Sequence, residues 1–328
     1  MLDYKIELNG SDITESILNL EYSENLEDVA SSFSFTSNTD FGLTSTNSNG
    51  NERINAIKIC KKGQTEPFYV GVITDFEHTT DKNVYAYSGF DVGFYLNKNK
   101  VIKQFRGENI GKAIENLCRE YNIILNNQKF TKDVRKIYKN YLFADIIKDL
   151  IKLEKDKGGL KDLYIDCKNG LFNIRQYSVE SDLTSIIGNG FLVKSDKTYS
   201  NVSVKQSIQE LKNRVIYSDN NEKSLLRVTQ EDINSISKYG LLTEIETVDT
   251  NKNNNLKKLA QDKLEELNRI TEERSLELLG DYRISKGKLI DFNNTDYGLQ
   301  DTYLITSAKH NIDNEKEVVS VSIEKNKR

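Results

Sequence analysis

Apolar and polar positions alternate differently along the chain, giving strand-like ends and a helix-like middle. Tyr4, Ile6 and Leu8 alternate with polar residues ahead of Asn9-Gly10, which predicts a strand running into a tight turn. Phe33 and Phe35 alternate with Ser32, Ser34 and Thr36, the pattern of a half-buried strand. Residues 38–51 are rich in Ser, Thr, Asn and Gly and read as a long loop. Strands resume over 57–60, 68–73 and 84–87. Many short strands joined by polar loops predict a sandwich or barrel.

The period changes over residues 101–178. Ile110, Ala113, Ile114, Leu117, Cys118 and Tyr121 fall on one helical stripe. A second helix is expected from about Phe143 to Lys155, with Ile146, Ile147, Leu150 and Ile151 inward and Gly158-Gly159 as its stop. Asn169-Gly170 between two apolar strands predicts a two-residue hairpin. Its register sets Cys167 opposite Phe172 and Ile165 opposite Ile174. The last part, 179–328, returns to strand patterns at Val202 and Val204, at 213–217, and at Leu225, Leu226 and Val228. Residues 208–211 read as a short helical or turn-like run. An Asn-rich run at 251–255 leads into a helix near 255–273, with a stripe of Leu256, Leu259, Ala260, the Lys263 stem, Leu264 and Leu267. Strands at 302–306 and 319–323 close the chain. The fold class expected is α+β, mostly β.

Charge supports three parts. Residues 1–100 carry a net −7, residues 101–178 a net +6, and residues 179–328 a net −3. A basic middle between acidic flanks marks the middle as a distinct unit. The expected domains are therefore 1–100, 101–178 and 179–328. The mean hydropathy of −0.60 and 37% hydrophobic content fit a chain with much exposed polar surface. No apolar run approaches the roughly 20 residues of a membrane span, so no membrane anchoring is expected. The opening residues, from Met1 to Lys5, have neither a basic nor an apolar signal region, and synthesis in the cytoplasm without a secretory signal is expected. One Pro, no Trp, and abundant Lys, Asn and Ile point to a low-GC bacterial genome.

Candidate chemistry is sparse. Cys60, Cys118 and Cys167 are widely separated, without a C-x-x-C or a His cluster, and read as free buried thiols rather than metal or redox ligands. The two histidines, His78 and His310, both read as structural or surface residues at strand ends. No G-x-S-x-G, H-E-x-x-H, P-loop or G-x-G-x-x-G occurs. Lys129, Lys132, Arg135, Lys136 and Lys139, with Tyr138 and Tyr141, form the one candidate phosphate contact; a solvated face on a linker or helix is the plainer reading. Carboxylates are abundant, which neither supports nor excludes a glycosidase pair. No catalytic, cofactor-binding or metal residue is assigned, no cofactor is expected, and no specific nucleic-acid binding is expected of so acidic a chain.

Three stretches carry a family resemblance: the opening strand and turn over 6–14, the segment 207–216, and a C-terminal set of 280–287, Tyr303-Leu304-Ile305 and His310. In this order of elements the chain resembles the baseplate hub proteins of contractile phage tails, particularly those of defective prophages and tail-like bacteriocins of low-GC Gram-positive bacteria. The resemblance implies two tube-like β-barrel domains, 1–100 and 179–328, linked by the small α/β module 101–178. It implies a homotrimer whose six barrels form a pseudo-hexameric ring. Such a ring adapts a sixfold tail tube protein to a threefold central spike protein, with baseplate wedge proteins around it. It implies no enzyme activity. An acidic lumen, which would not hold passing DNA, and a peripheral position for the basic middle module follow as expectations. The alternatives are a baseplate-associated peptidoglycan hydrolase, for which the chain leaves little room after the second barrel, and a cell-surface glycan-binding module.

Overall fold

The computed structural model describes residues 3–79, 84–126, 128–177, 199–219, 226–248, 255–292, 298–313 and 316–325. Leu225, the Asn run at 251–254 and the start of the third part near 179 lie outside the described residues. The described chain is α+β and mostly β. It falls into two compact units, residues 1–202 with 275–328, and residues 203–274. The chain leaves the first unit within strand Tyr199–Ser207 and returns within strand Thr271–Leu279.

The first unit is organised by a wide sheet that mixes both ends of the sequence. Strand Thr302–Ile312 pairs antiparallel with Ile17–Asn25, in a register running from Ser307 opposite Asn25 to Ile312 opposite Leu20. From there the order continues through Ser32–Ser37, Val84–Phe90, Tyr69–Thr79, Ala56–Lys61 and Tyr4–Leu8, ending on Ser11–Asp12. In the other direction lies Glu317–Lys325. Among the described residues this path is open at both ends.

Local chemistry explains several elements. The turn after Tyr4–Leu8 uses left-handed conformations at Asn9 (φ 51°) and Gly10 (φ 93°), which an Asn-Gly pair adopts at little cost. Ser32–Ser37 buries Phe33, Phe35 and Ser37, as its alternation predicts. The Phe33 ring lies across Gly71 and Gly89 on neighbouring strands, where any Cβ would collide with it. One expectation is corrected here. The loop read over 38–51 contains half of a small hairpin, Thr44–Thr46 paired with Glu52–Ile54. Its polar composition hid it, because both strands are almost fully solvated and carry no apolar face.

The middle module has its own apolar core. Helix Ile110–Glu120 buries Ile110, Ala113, Ile114, Leu117 and Cys118. Asn109 caps it, accepting from Gly111 N and Lys112 N. Helix Phe143–Asp156 buries Phe143, Ala144, Ile146, Ile147 and Leu150 on the same core. Gly158, at φ 72°, follows its end. The hairpin Leu163–Asp166 with Phe172–Gln176 keeps the expected register, Ile165 opposite Ile174. A long ribbon, Lys100–Asn109 with Asp133–Leu142, completes the module. Sequence periodicity does not reveal it, because two register shifts break its alternation, at Val101/Ile102 and at Arg106/Glu108.

The second unit is a small helix-on-sheet layer. Arg214–Asp219 lies between antiparallel Arg227–Glu231 and parallel Thr243–Val248. Val215 and Tyr217 pack with Ala260 and Leu264 of helix Leu256–Leu267. That helix stops at Leu267, short of the expected 273, and strand Thr271–Leu279 begins almost at once. Sequence reading missed helix Ile233–Tyr239, which Asp232 caps by accepting from Ser235 N.

Candidate functional site

The most constrained polar region is a buried joint where the three expected parts meet. Glu24, near the end of strand Ile17–Asn25, is 3% exposed. Its Oε1 accepts from the backbone N–H of Lys286 at 3.0 Å and from the Lys168 ammonium at 3.5 Å; Oε2 is ion-paired to the same ammonium at 3.5 Å but accepts no hydrogen bond among the described residues. Lys168 also donates to Ser285 Oγ at 2.7 Å, while its carbonyl accepts from Val70 N–H at 2.6 Å. Lys286 is 1% exposed, and its ammonium donates to the carbonyls of Asn25 and Asp28 at 3.0 and 3.1 Å. The first part thus supplies Glu24, the middle hairpin supplies Lys168, and the last part supplies Ser285 and Lys286. These pairings and hydrogen bonds offset the cost of burying the charges.

Beside it lies a second polar group. His310 Nδ1 is 3.0 Å from Glu317 Oε1, and Nε2 is 2.8 Å from the carbonyl of Ile284. Tyr4 donates from its hydroxyl to Glu317 Oε2 at 2.5 Å. The Tyr22 ring stacks on His310 at 4.1 Å. Burial, then the Glu317 carboxylate, hold the Tyr4 phenol above its ordinary pKa. Burial also raises the Tyr22 phenol. Nearby Asp91 accepts from Ser31 N and Gly93 N. Burial pushes its carboxyl up to about 7, although these donors and the Lys286 charge pull the other way.

These contacts say what the resemblance-bearing residues do. The 280–287 loop is folded on itself, with Ile284 N–H donating to Asp281 O and Arg283 held by the Asp281 carboxylate. It offers Ile284 O to His310 and Lys286 N–H to Glu24. In the 6–14 segment, Ile6 N–H donates to Thr14 Oγ1 and closes the opening turn. In the 207–216 segment, buried Asn213 donates to Gly240 O and accepts from Leu242 N–H, fastening the 240–242 turn to the central strand of the second unit.

The other candidates are dispersed. His78 is exposed on strand Tyr69–Thr79 and stacks on Tyr85, far in sequence from buried His310. Cys60, Cys118 and Cys167 are free and buried. Burial pushes the Cys118 thiol up to about 12 and raises those of Cys60 and Cys167. All three sit on the inert side of thiol chemistry. The basic run is not a linker or helix: Arg135, Lys136, Tyr138, Lys139 and Tyr141 lie on strand Asp133–Leu142. Tyr138 turns inward and hydrogen-bonds to Asp149, and Lys136 pairs with Asp149 at 2.7 Å. Sequence reasoning missed Glu24 and Lys286. The one available signal was a lysine set between Ser285 and Gly287 in a segment already singled out.

Comparisons with known proteins agree with this architecture. The YQBQ-like family matches residues 20–324. Phage-like element PBSX protein XkdQ of Bacillus subtilis (strain 168) is 21% identical over 272 residues, covering 81% of this chain and 80% of that protein. Among solved structures, the 43 kDa tail protein of prophage MuSo2 from Shewanella oneidensis matches with a TM-score of 0.69 at 11% identity, covering 99% of this chain and 98% of that one. The tail protein from Neisseria meningitidis MC58 matches with a TM-score of 0.69 at 11% identity, over 99% and 97%. At such identities the structural likeness shows a shared fold. The sequence match spans nearly the whole described chain, and the chain therefore belongs to the YQBQ-like family.

Proposed function

We propose that the protein is a structural baseplate hub of a contractile tail or tail-like particle, acting without chemistry. The observation that carries this reading is the fold likeness to phage tail proteins over almost the full length of both chains. The sequence relative in a phage-like element points the same way. In this reading a homotrimer adapts a sixfold tail tube to a threefold spike, with wedge proteins around it. Two tube-like domains, 1–100 and 179–328, flank the 101–178 module. Separate cores support that division. One gathers Tyr4 through Tyr87 with Ile312, one gathers mainly Leu96 through Ile174, and one gathers Leu276 through Ile323. Within the last domain, residues 203–274 form an inserted unit with a core of its own. The joint of Glu24, Lys168 and Lys286 suits a part that must transmit force, since it locks the three parts of one chain together.

Class averages of the purified full chain in negative stain test the reading. A threefold ring with a central hole and six lobes is expected. Compact single particles would count against the hub, and clearing in a muralytic zymogram would replace it with a hydrolase.

A further inference from the structure

The ribbon of Lys100–Asn109 and Asp133–Leu142 is a two-stranded sheet with one covered face. Val101, Phe105, Val134 and Tyr138 enter the module core. The other face carries Ile102 opposite Lys139, Gln104 opposite Ile137, and Arg106 opposite Arg135. Ile102 is 78% exposed and Ile137 is 54% exposed. Two arginines directly across a strand pair repel one another. The same two strands neutralise other cations: Lys103 pairs with Glu120, and Lys136 pairs with Asp149. Arg106, Arg135 and Lys139 have no carboxylate partner among the described residues, and Arg106 reaches only Gln104. An outward face that combines bare aliphatic area with three uncompensated cations is built for an acidic protein surface.

The chain itself holds such a surface. Residues 1–100 carry a net −7 against +6 for residues 101–178. Asp75 and Glu77 lie two positions apart on strand Tyr69–Thr79, hence on one face, exposed and without an ion pair among the described residues. Their strand partners are the small residues Ser88 and Ala86, which leave room for aliphatic side chains to approach. The cationic and anionic faces belong to different elements. Copies of the chain would therefore meet head to tail, an arrangement that closes into a ring where a self-complementary patch would give a twofold dimer.

We propose that the Ile102–Ile137 face of the ribbon, with Arg106, Arg135 and Lys139, docks onto the Asp75–Glu77 strand of a second copy of this chain. This rests on the homotrimer reading and names the surface that would build it. The test is native mass spectrometry and light scattering on the full chain at about 0.15 M and about 1 M salt. The wild type is expected to be a trimer that dissociates in high salt. Arg106→Glu with Arg135→Glu is expected to lose the trimer while keeping the wild-type far-UV circular dichroism spectrum. Adding Asp75→Lys and Glu77→Lys to that variant is expected to restore the trimer, because the charges are then exchanged rather than removed. A double variant that stays trimeric overturns the docking surface and leaves the trimer standing. Loss without restoration in the fourfold variant also overturns the surface. A monomeric wild type overturns the trimer reading itself. DNA binding by the wild type that vanishes in a still-trimeric double variant would reassign the face to a polyanion.

Discussion

The helix-and-hairpin module and the polar joint are equally dry but are held in opposite ways. In the module, Leu117, Ile147 and Phe172 are fully buried behind apolar neighbours drawn largely from the same stretch of chain. In the joint, Glu24 and Lys286 are just as buried, yet their partners lie 262 positions apart in sequence. Apolar packing is non-directional and tolerates substitutions that conserve volume. A buried ionic network does not, because removing one member strands the rest in a medium that cannot solvate them. The module should therefore bend under mutation where the joint breaks.

The sharpest way to break the contrast is Glu24→Ala, which should cost about 3–5 kcal/mol in urea unfolding because Lys168 is left without its carboxylate. Glu24→Gln, nearly isosteric, should recover little of that loss. Leu117→Ala in the module should cost about 2–5 kcal/mol by leaving a cavity, but Leu117→Met should cost less than about 1.5 kcal/mol. If the isosteric change were mild in the joint and severe in the module, the contrast would be reversed. Gly89→Ala should destabilise the wide sheet by about 1–3 kcal/mol, because its Cβ would fall 1.9 Å from the Val72 carbonyl and against the Phe33 ring. Tyr4→Phe should cost about 1–2 kcal/mol, read as a lower thermal midpoint, since Glu317 loses one donor.

The smallest effect is one of pH. Asp91 has a folded-state pKa raised from 3.8 to about 7, so the folded state binds its proton more tightly than the unfolded chain does. The stability this group contributes is complete below about pH 4 and declines as pH rises towards about 7. The urea midpoint of Asp91→Asn, followed over that range, should lack this part of the wild-type slope. Identical slopes would show that Asp91 is ionised at little cost in the fold.

Legibility followed the range of the interactions. The helices at Ile110 and Phe143 and the Asn169-Gly170 hairpin were readable because stripe, cap and turn are encoded within a few positions. The ribbon was not, because its bulges break the alternation on which strand reading depends. The Thr44–Thr46 hairpin was hidden by a wholly polar pattern. His310 is buried, but nothing nearby in sequence names Tyr22 or Ile284 as the groups against its ring.

By itself the sequence determined the mostly-β character and the basic middle with its two helices and hairpin. Each rests on periodicity, turn chemistry or charge composition, which act over short distances along the chain. Only the tertiary structure decided that strand Thr302–Ile312 pairs with Ile17–Asn25, that residues 203–274 form a separate unit, and that Glu24, Lys168 and Lys286 meet. Strand partners and buried ion pairs are chosen by which surfaces can be dried together, and that choice is made among all segments at once.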